Sequence, residues 1–302
     1  MFKRILADLE TPSRELAYEV HSMVVRKTAG SYLPADFVIK SELFGVPQKR
    51  HRVILVGIRK DLSSRASELG QLTTLPQVTV GDAISDLPPL RSGISRWSRN
   101  QDEARWQEIR EIAMARFGDN DLPKSALPES LERGADFINA RPKKHPRGPF
   151  QDWVTDRRLG GVLHHESRTH MEGDLLRYGF AATFASGFGV SPRLRDFPID
   201  LLPNHANASA ASRPFEDRFR VQVSTTQSST IVSHISKDGH YYIHPDARQM
   251  RSLTVREAAR LQTFPDNYFF SGNRTSKFHQ VGNAVPPFLA FQIAQIVGQF
   301  LS

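Results

Sequence analysis

From about residue 76 to 250 the chain is punctuated by proline, at Pro76, Pro88, Pro89, Pro123, Pro128, Pro142, Pro146 and Pro149, and it holds few long periodic segments. Each proline fixes φ and removes a backbone donor, so neither a long helix nor a central strand runs through it undisturbed. The two flanks are regular. This pattern predicts a fold with ordered ends, 1–75 and 251–302, and a mostly irregular insert at 76–250 between them.

In the first flank, residues 4–27 read as an amphipathic helix with Ile5, Leu6, Leu9, Leu16 and Val20 as apolar positions and Pro12 dividing it. Phe37-Val38-Ile39 and Val53-Ile54-Leu55-Val56 read as buried strands because their runs have no helical gap. Within the insert, a helix is predicted over 103–116, with Trp106, Ile109, Ile112 and Ala113 on one face. The rest of the insert reads as loops and short strands, including Thr230-Ile231-Val232 and Tyr241-Tyr242-Ile243 beside the Asp238-Gly239 turn. In the last flank, Thr254-Val255-Arg256-Glu257 has the pattern of a capping box, and its helix must end before Pro265. The 282–287 segment, Gly-Asn-Ala-Val-Pro-Pro, is a tight turn that opens an apolar closing helix over 288–301.

Composition narrows the chemistry. The chain has 302 residues and no cysteine, which excludes disulfides, zinc ribbons and a thiol nucleophile within it. His234, His240 and His244 lie close together, but neither cysteine nor paired carboxylate completes a metal site, and none is assigned. No apolar run approaches the roughly 20 residues of a membrane span. The first residues mix charges of both signs, unlike a signal or transit peptide, so a cytoplasmic protein is expected. A net charge of +8 suits a polyanionic partner. The charge gathers between residues 139 and 170, at Arg141, Lys143, Lys144, Arg147, Arg157, Arg158 and Arg168, with Phe150 and Trp153 interleaved. Clustered cations with aromatic neighbours are a footprint for nucleic acid.

Gln48-Lys49-Arg50-His51-Arg52 leads into the second apolar run. A strand starting near Gln48 would place Gln48, Arg50 and Arg52 on one face, a dense row of donors suited to phosphate or a base carbonyl. Taken alone, that segment fits an ordinary basic strand end on a sheet edge better.

The stretch from Phe44 to Arg52 resembles the Gln-x-Arg-x-Arg motif of the DNA cytosine-C5 methyltransferases. Residues 251–266 (RSLTVREAARLQTFPD) resemble the family's ninth motif, and 280–287 (QVGNAVPP) its tenth. The motifs fall in the family's order, with the insert where a target-recognition domain belongs. The resemblance implies an α/β fold, the C-terminal portion of a Rossmann-like methyltransferase domain with an inserted recognition domain. It also implies S-adenosyl-L-methionine as cofactor, double-stranded DNA as partner and a setting in restriction–modification. By the same resemblance Arg52 contacts a flipped cytosine, Arg50 supports the active site with Gln48 counted among the catalytic residues, and Asn283, Ala284 and Val285 wall the cofactor pocket. Arg251, Glu257 and Arg260 are expected to be structural.

The family's Pro-Cys motif, its Glu-Asn-Val segment and its Gly-rich cofactor loop are not found. Gly187-Phe188-Gly189 follows no strand and reads as a loop; Asp86-Leu87-Pro88-Pro89-Leu90, which superficially resembles an amino-methyltransferase motif, does too. The sequence is therefore expected to start just past those elements. Two functions stay open: one subunit of a split enzyme, completed by a second chain that brings the cysteine and cofactor loop, or a non-catalytic DNA-binding remnant or regulator.

Overall fold

The computed structural model describes residues 2–13, 16–27, 32–98, 101–117, 130–140, 147–203 and 216–302. Its N-terminal helix, α1, is confined to Phe2–Glu10. Past Pro12 the expected helix gives way to β1, Tyr18–His21. The physical reason is a partner distant in sequence: β1 pairs antiparallel with residues 56–59, and local periodicity carries no information about that pairing.

The second strand, β2 (Val38–Lys40), pairs antiparallel with β3 (His51–Val53). The run Val53–Val56, expected as one buried strand, is divided: Val53 ends β3 and is 52% exposed, while Val56 opens β4 (Val56–Arg59). Within the insert come α2 (Val80–Ile84), β5 (Gly93–Ile94), α3 (Asp102–Phe117), β6 (Gly134–Ile138), α4 (Pro149–Val154), β7 (Val162–Glu166), β8 (Thr169–His170) and α5 (Glu172–Phe188). β6 and β7 pair antiparallel; β5 and β8 pair in parallel. The α3 helix lies where its periodicity placed it and buries Trp106, Ile109 and Ala113, but Ile112, expected on the same face, is exposed.

The insert is less irregular than expected. α5 runs for 17 residues through a stretch read as loop, and Gly187-Phe188-Gly189 is its C-terminal end, with Gly189 in the left-handed conformation that closes a helix. The helix buries Leu175, Tyr178, Ala181, Ala182 and Ala185, with apolar residues spread around its circumference. A helix enclosed on several sides lacks the single apolar stripe by which periodicity is recognised. Conversely, Thr230–Val232 and Tyr241–Ile243 are not strands; Ile243 makes isolated bridges to Val221 and Ser252.

Three helices close the chain: α6 (Val255–Leu261), α7 (Arg274–Asn283) and α8 (Pro287–Leu301). The capping box of α6 is complete, with Thr254 Oγ1 accepting from the Glu257 amide at 3.2 Å and Glu257 accepting from the Thr254 amide at 2.7 Å. α6 is central to the main core. Its Val255, Ala258, Ala259 and Leu261 pack with Ala83 and Ile84 of α2, Val162 of β7, Ile231, and Phe278 and Val281 of α7. One side of α8, through Leu289, Ile293 and Ile296, packs on Met23, Ile39, Phe44 and Val46. Residues 274–301 together are long and apolar enough to cross a membrane, contrary to the expectation that no run approaches that length. The chain breaks that run between Asn283 and Pro287, leaving helices of 10 and 15 residues.

Candidate functional site

The three motif segments meet around the side chains of two buried glutamines. Gln48 is fully buried; its Oε1 accepts from the Ile231 amide at 2.9 Å and its Nε2 donates to the Leu261 carbonyl at 3.0 Å. The same Nε2 donates to Oε1 of Gln262, which is also fully buried. Gln262 Nε2 in turn donates to the Ala284 carbonyl at 2.6 Å. Backbone groups of fixed polarity stand at both ends of this chain of bonds, an N–H at Ile231 and carbonyls at Leu261 and Ala284. They set the orientation of both amides.

Ile231 is gripped twice. Arg50 Nη1 donates to its carbonyl at 2.9 Å while Gln48 takes its amide. Lys49 joins the same ladder through its amide, which donates to the Ser228 carbonyl at 2.9 Å, and Thr230 Oγ1 donates to the Lys49 carbonyl at 2.6 Å. On the far side of this segment lies Gly282, where a Cβ would overlap the backbone of Val232 and Ser233. Residues 228–233 are thus wedged between the arginine segment and the end of α7, a role their β-branched run did not reveal.

The expected row of three donors is resolved into different environments. β3 begins only at His51, so no strand face carries Gln48. The Gln48 amide is fully engaged inside the protein, and Arg50 is half-buried against Ile231. Burial, with Arg52 nearby, lowers the Arg50 pKa from its ordinary value. Arg52 is exposed, and its Nη1 donates to the carbonyl of neighbouring His51 at 2.7 Å. The remaining faces of its guanidinium point to no described acceptor.

At the other end of the glutamine relay, Asn283 and Val285 are exposed and Ala284 is half-buried. An exposed amide and an exposed apolar side chain flank a backbone carbonyl that is held in place.

The arginines around α6 are arranged differently. Arg251 makes a two-pronged pair with Glu257, 2.7 Å at each prong. Arg260 makes another with Asp266, 2.8 Å at each prong, and also binds Asp86. Burial opposes the charge of Arg260, but Asp266 and Asp86 outweigh it and raise the pKa. Arg256 has three backbone carbonyls instead, of Leu163, Pro265 and Tyr268, and burial lowers it to about 10. Asp86, in the stretch read as a loop, therefore serves as a carboxylate partner for Arg260.

Of the basic cluster, Arg141, Lys143 and Lys144 lie outside the described residues. Arg147 is exposed beside a cleft lined by Gly45, Leu75, Asp82 and Gln151. Arg157 and Arg158 are exposed, the latter paired to Asp156 at 2.9 Å. Arg168 departs from the expectation: it is buried over the Phe278 ring and donates to the Lys237 and Ile235 carbonyls. The interleaved aromatics are also internal. Phe150 is in the main core, and Trp153 packs on Phe288 and Phe291.

Comparison with known proteins places the chain in a family. Residues 26–299 match the model of the C-5 cytosine-specific DNA methylases. The chain is 40% identical to the type II methyltransferase M.AgeI of Thalassovita gelatinovora, covering 91% of this chain and 68% of that protein. It is 36% identical to the type II methyltransferase M.Bpa9945I of Bacillus paralicheniformis, covering 84% of this chain and 48% of the relative. A crystal structure from E. coli, described as a prophage-encoded DNA modification methyltransferase, shares the fold with a TM-score of 0.53 at 18% identity. That match covers 94% of this chain and 61% of the other. The chain thus spans about half to two thirds of the length of these proteins, and it belongs to the C-5 cytosine-specific DNA methylase family.

Proposed function

We propose that this chain supplies the target-recognition region and the base-facing part of the active site in a DNA cytosine-C5 methyltransferase acting on double-stranded DNA. The observation that carries the reading is the relay Gln48–Gln262–Ala284, which brings segments from all three motifs to one place. On this reading Arg52 contacts the extruded cytosine. Its planar fork of donors suits a base carbonyl, and its one side-chain bond among the described residues, to an adjacent carbonyl, is easily exchanged. Arg50 holds the backbone beneath it by anchoring on Ile231.

S-adenosyl-L-methionine supplies an electrophilic methyl group when bound, and Asn283, Ala284 and Val285 form one wall against it. The recognition domain is assigned to 76–250, with Arg147 and Arg157 and the cations at 141, 143 and 144 contacting phosphates. The type II names of the relatives support a place in restriction–modification.

Carbon-5 of cytosine is a poor nucleophile until a group has added at carbon-6, and a chain without cysteine has no thiolate to add. In this proposal the thiolate and the Gly-rich cofactor loop come from a second protein chain. The exposed side of α8 supports such docking: Ala290, Phe291, Ala294, Gly298 and Leu301 are all open to solvent along one apolar side. The test is transfer of tritiated methyl groups to DNA by each chain separately and by the two together. Activity is expected only from the mixture. Robust activity of this chain alone would overturn the split-enzyme reading, and an inactive mixture would favour a DNA-binding remnant.

A further inference from the structure

We infer that Gln262 is a positioning residue for methyl transfer, setting the arginine segment and the Asn283–Val285 loop at a fixed separation through the two ends of its side-chain amide. The inference rests on the functional reading above and goes beyond the motif roles, because Gln262 itself is fully buried. Its Oε1 is occupied by Gln48 and its Nε2 by the Ala284 carbonyl, and among the described residues no other side chain bonds to both sides of the site. Gln48 extends the connection to Ile231, which is the residue that holds Arg50.

The turn that aims Gln262 is itself strained and braced. Thr263 follows it with φ of 65°, in the left-handed region that β-branched residues rarely adopt. The surroundings hold it there. The Thr263 carbonyl accepts from Trp153 Nε1 at 2.8 Å, and its hydroxyl accepts from the Phe288 amide at 3.1 Å, at the start of α8. Strain of this kind persists where neighbouring structure over-determines it, as it does between two halves of a site. A residue needed only to fill the core would require neither two directional bonds nor a left-handed neighbour.

The test uses the assembled enzyme, this chain together with the chain that carries the cysteine. Gln262→Met keeps the volume and removes both bonds. The expected result is an affinity for S-adenosylhomocysteine about tenfold weaker by calorimetry and a kcat about tenfold lower, roughly one hydrogen bond in each measurement. Gln48→Met breaks only the arm toward the arginines, so kcat should fall while S-adenosylhomocysteine affinity stays within about twofold. The double variant should lose little more kcat than Gln262→Met alone, since both act along one path.

If Gln262→Met fails to assemble, Gln262→Glu keeps the acceptor for Gln48 and places an oxygen against the Ala284 carbonyl. It should lose S-adenosylhomocysteine affinity and keep kcat at saturating cofactor. A lowered melting temperature, with affinity and kcat unmoved, would make Gln262 a packing residue and overturn the inference. So would losses that simply multiply in the double variant, or equal losses of both parameters in Gln262→Glu. An inactive wild-type assembly would instead remove the functional reading, and this inference with it.

Discussion

The arginines of the β3 segment and those around α6 carry the same charge, yet the protein uses them in opposite ways. Arg251, Arg256 and Arg260 are buried, and each guanidinium is surrounded by carboxylates or carbonyls of the chain itself. Arg52 is exposed and bonded to one carbonyl next door. Arg50 stands between them, anchored by one hand to Ile231. Residue type and motif membership thus do not separate support from function; under the proposed function, donor occupancy does. An arginine whose donors are all engaged within the chain can hold a fold but has nothing left for a ligand.

The comparison breaks first, if it breaks, at Arg260. Arg260→Ala leaves Asp86 and Asp266 buried without their cation, and loss of one partner from a buried pair costs about 3–5 kcal/mol. Urea unfolding should show that loss in full; a change below about 1 kcal/mol would mean that these carboxylates are wetter than their burial indicates.

Arg52→Ala should do the reverse. Stability should move by no more than about 0.5 kcal/mol, because little of the side chain is packed. Methyl transfer in the assembled enzyme should fall about 10- to 200-fold, the value of one charge-assisted contact of roughly 1.5–3 kcal/mol. Wild-type turnover with normal folding would remove Arg52 from the site.

The interior around Arg251 also carries a pH dependence that the exposed arginine does not. His165 and His244 are each lowered to about 4, chiefly by burial. His165 is satisfied as a neutral ring, donating to the Pro88 carbonyl at 2.8 Å and accepting from Thr254 Oγ1 at 3.0 Å. Unfolding returns both rings to an ordinary value near 6.5, so between about 6.5 and 4 the unfolded chain binds more protons than the folded one. Stability is therefore present above that window and is lost as pH falls through it. The slope reaches about 1.4 kcal/mol per pH unit for each histidine. Urea midpoints compared at neutral pH and near pH 5 give the measurement, and a flat profile would place these rings in contact with water.

What the sequence made legible follows from the range of the interactions. The α6 cap joins Thr254 to Glu257 three residues away, and the proline opening α8 acts within one turn; both can be read locally. The bond from Gln48 to Gln262 crosses most of the chain, and nothing in the composition of either segment announces it. β1 was misread because its partner lies in β4, and α5 because it has no polar face to give it a period. Arg168 looked like its neighbours Arg157 and Arg158 as charge in sequence; only packing on Phe278 shows that it is internal. The family was legible from the motifs and their order, while the division of their arginines into engaged and available donors required coordinates.

The smallest effect is expected where the same distinction is weakest, on the insert surface. Arg158 has 88% of its side chain exposed but lies against Asp156 at 2.9 and 3.0 Å, and Asp156 is held in turn by Asn267 at 2.8 Å. Arg158 and the Asp156 hydrogen bonds keep that carboxyl well below the usual carboxylate range, so the pair presents little net charge. Arg157 is exposed and makes no hydrogen bond or ion pair with a described residue. If both approach DNA, only Arg157 releases close to a full counterion on binding a phosphate. Arg157→Ala should then reduce the slope of log K against log salt by about 0.9, equally for target and non-target duplexes. Arg158→Ala should change it by less than half as much, because the cation that is removed was already matched by its neighbour. Fluorescence anisotropy titrations across a range of salt resolve the two. Equal slopes for both variants would show that Asp156 yields its partner to the phosphate, and donor occupancy would then cease to predict function at exposed positions.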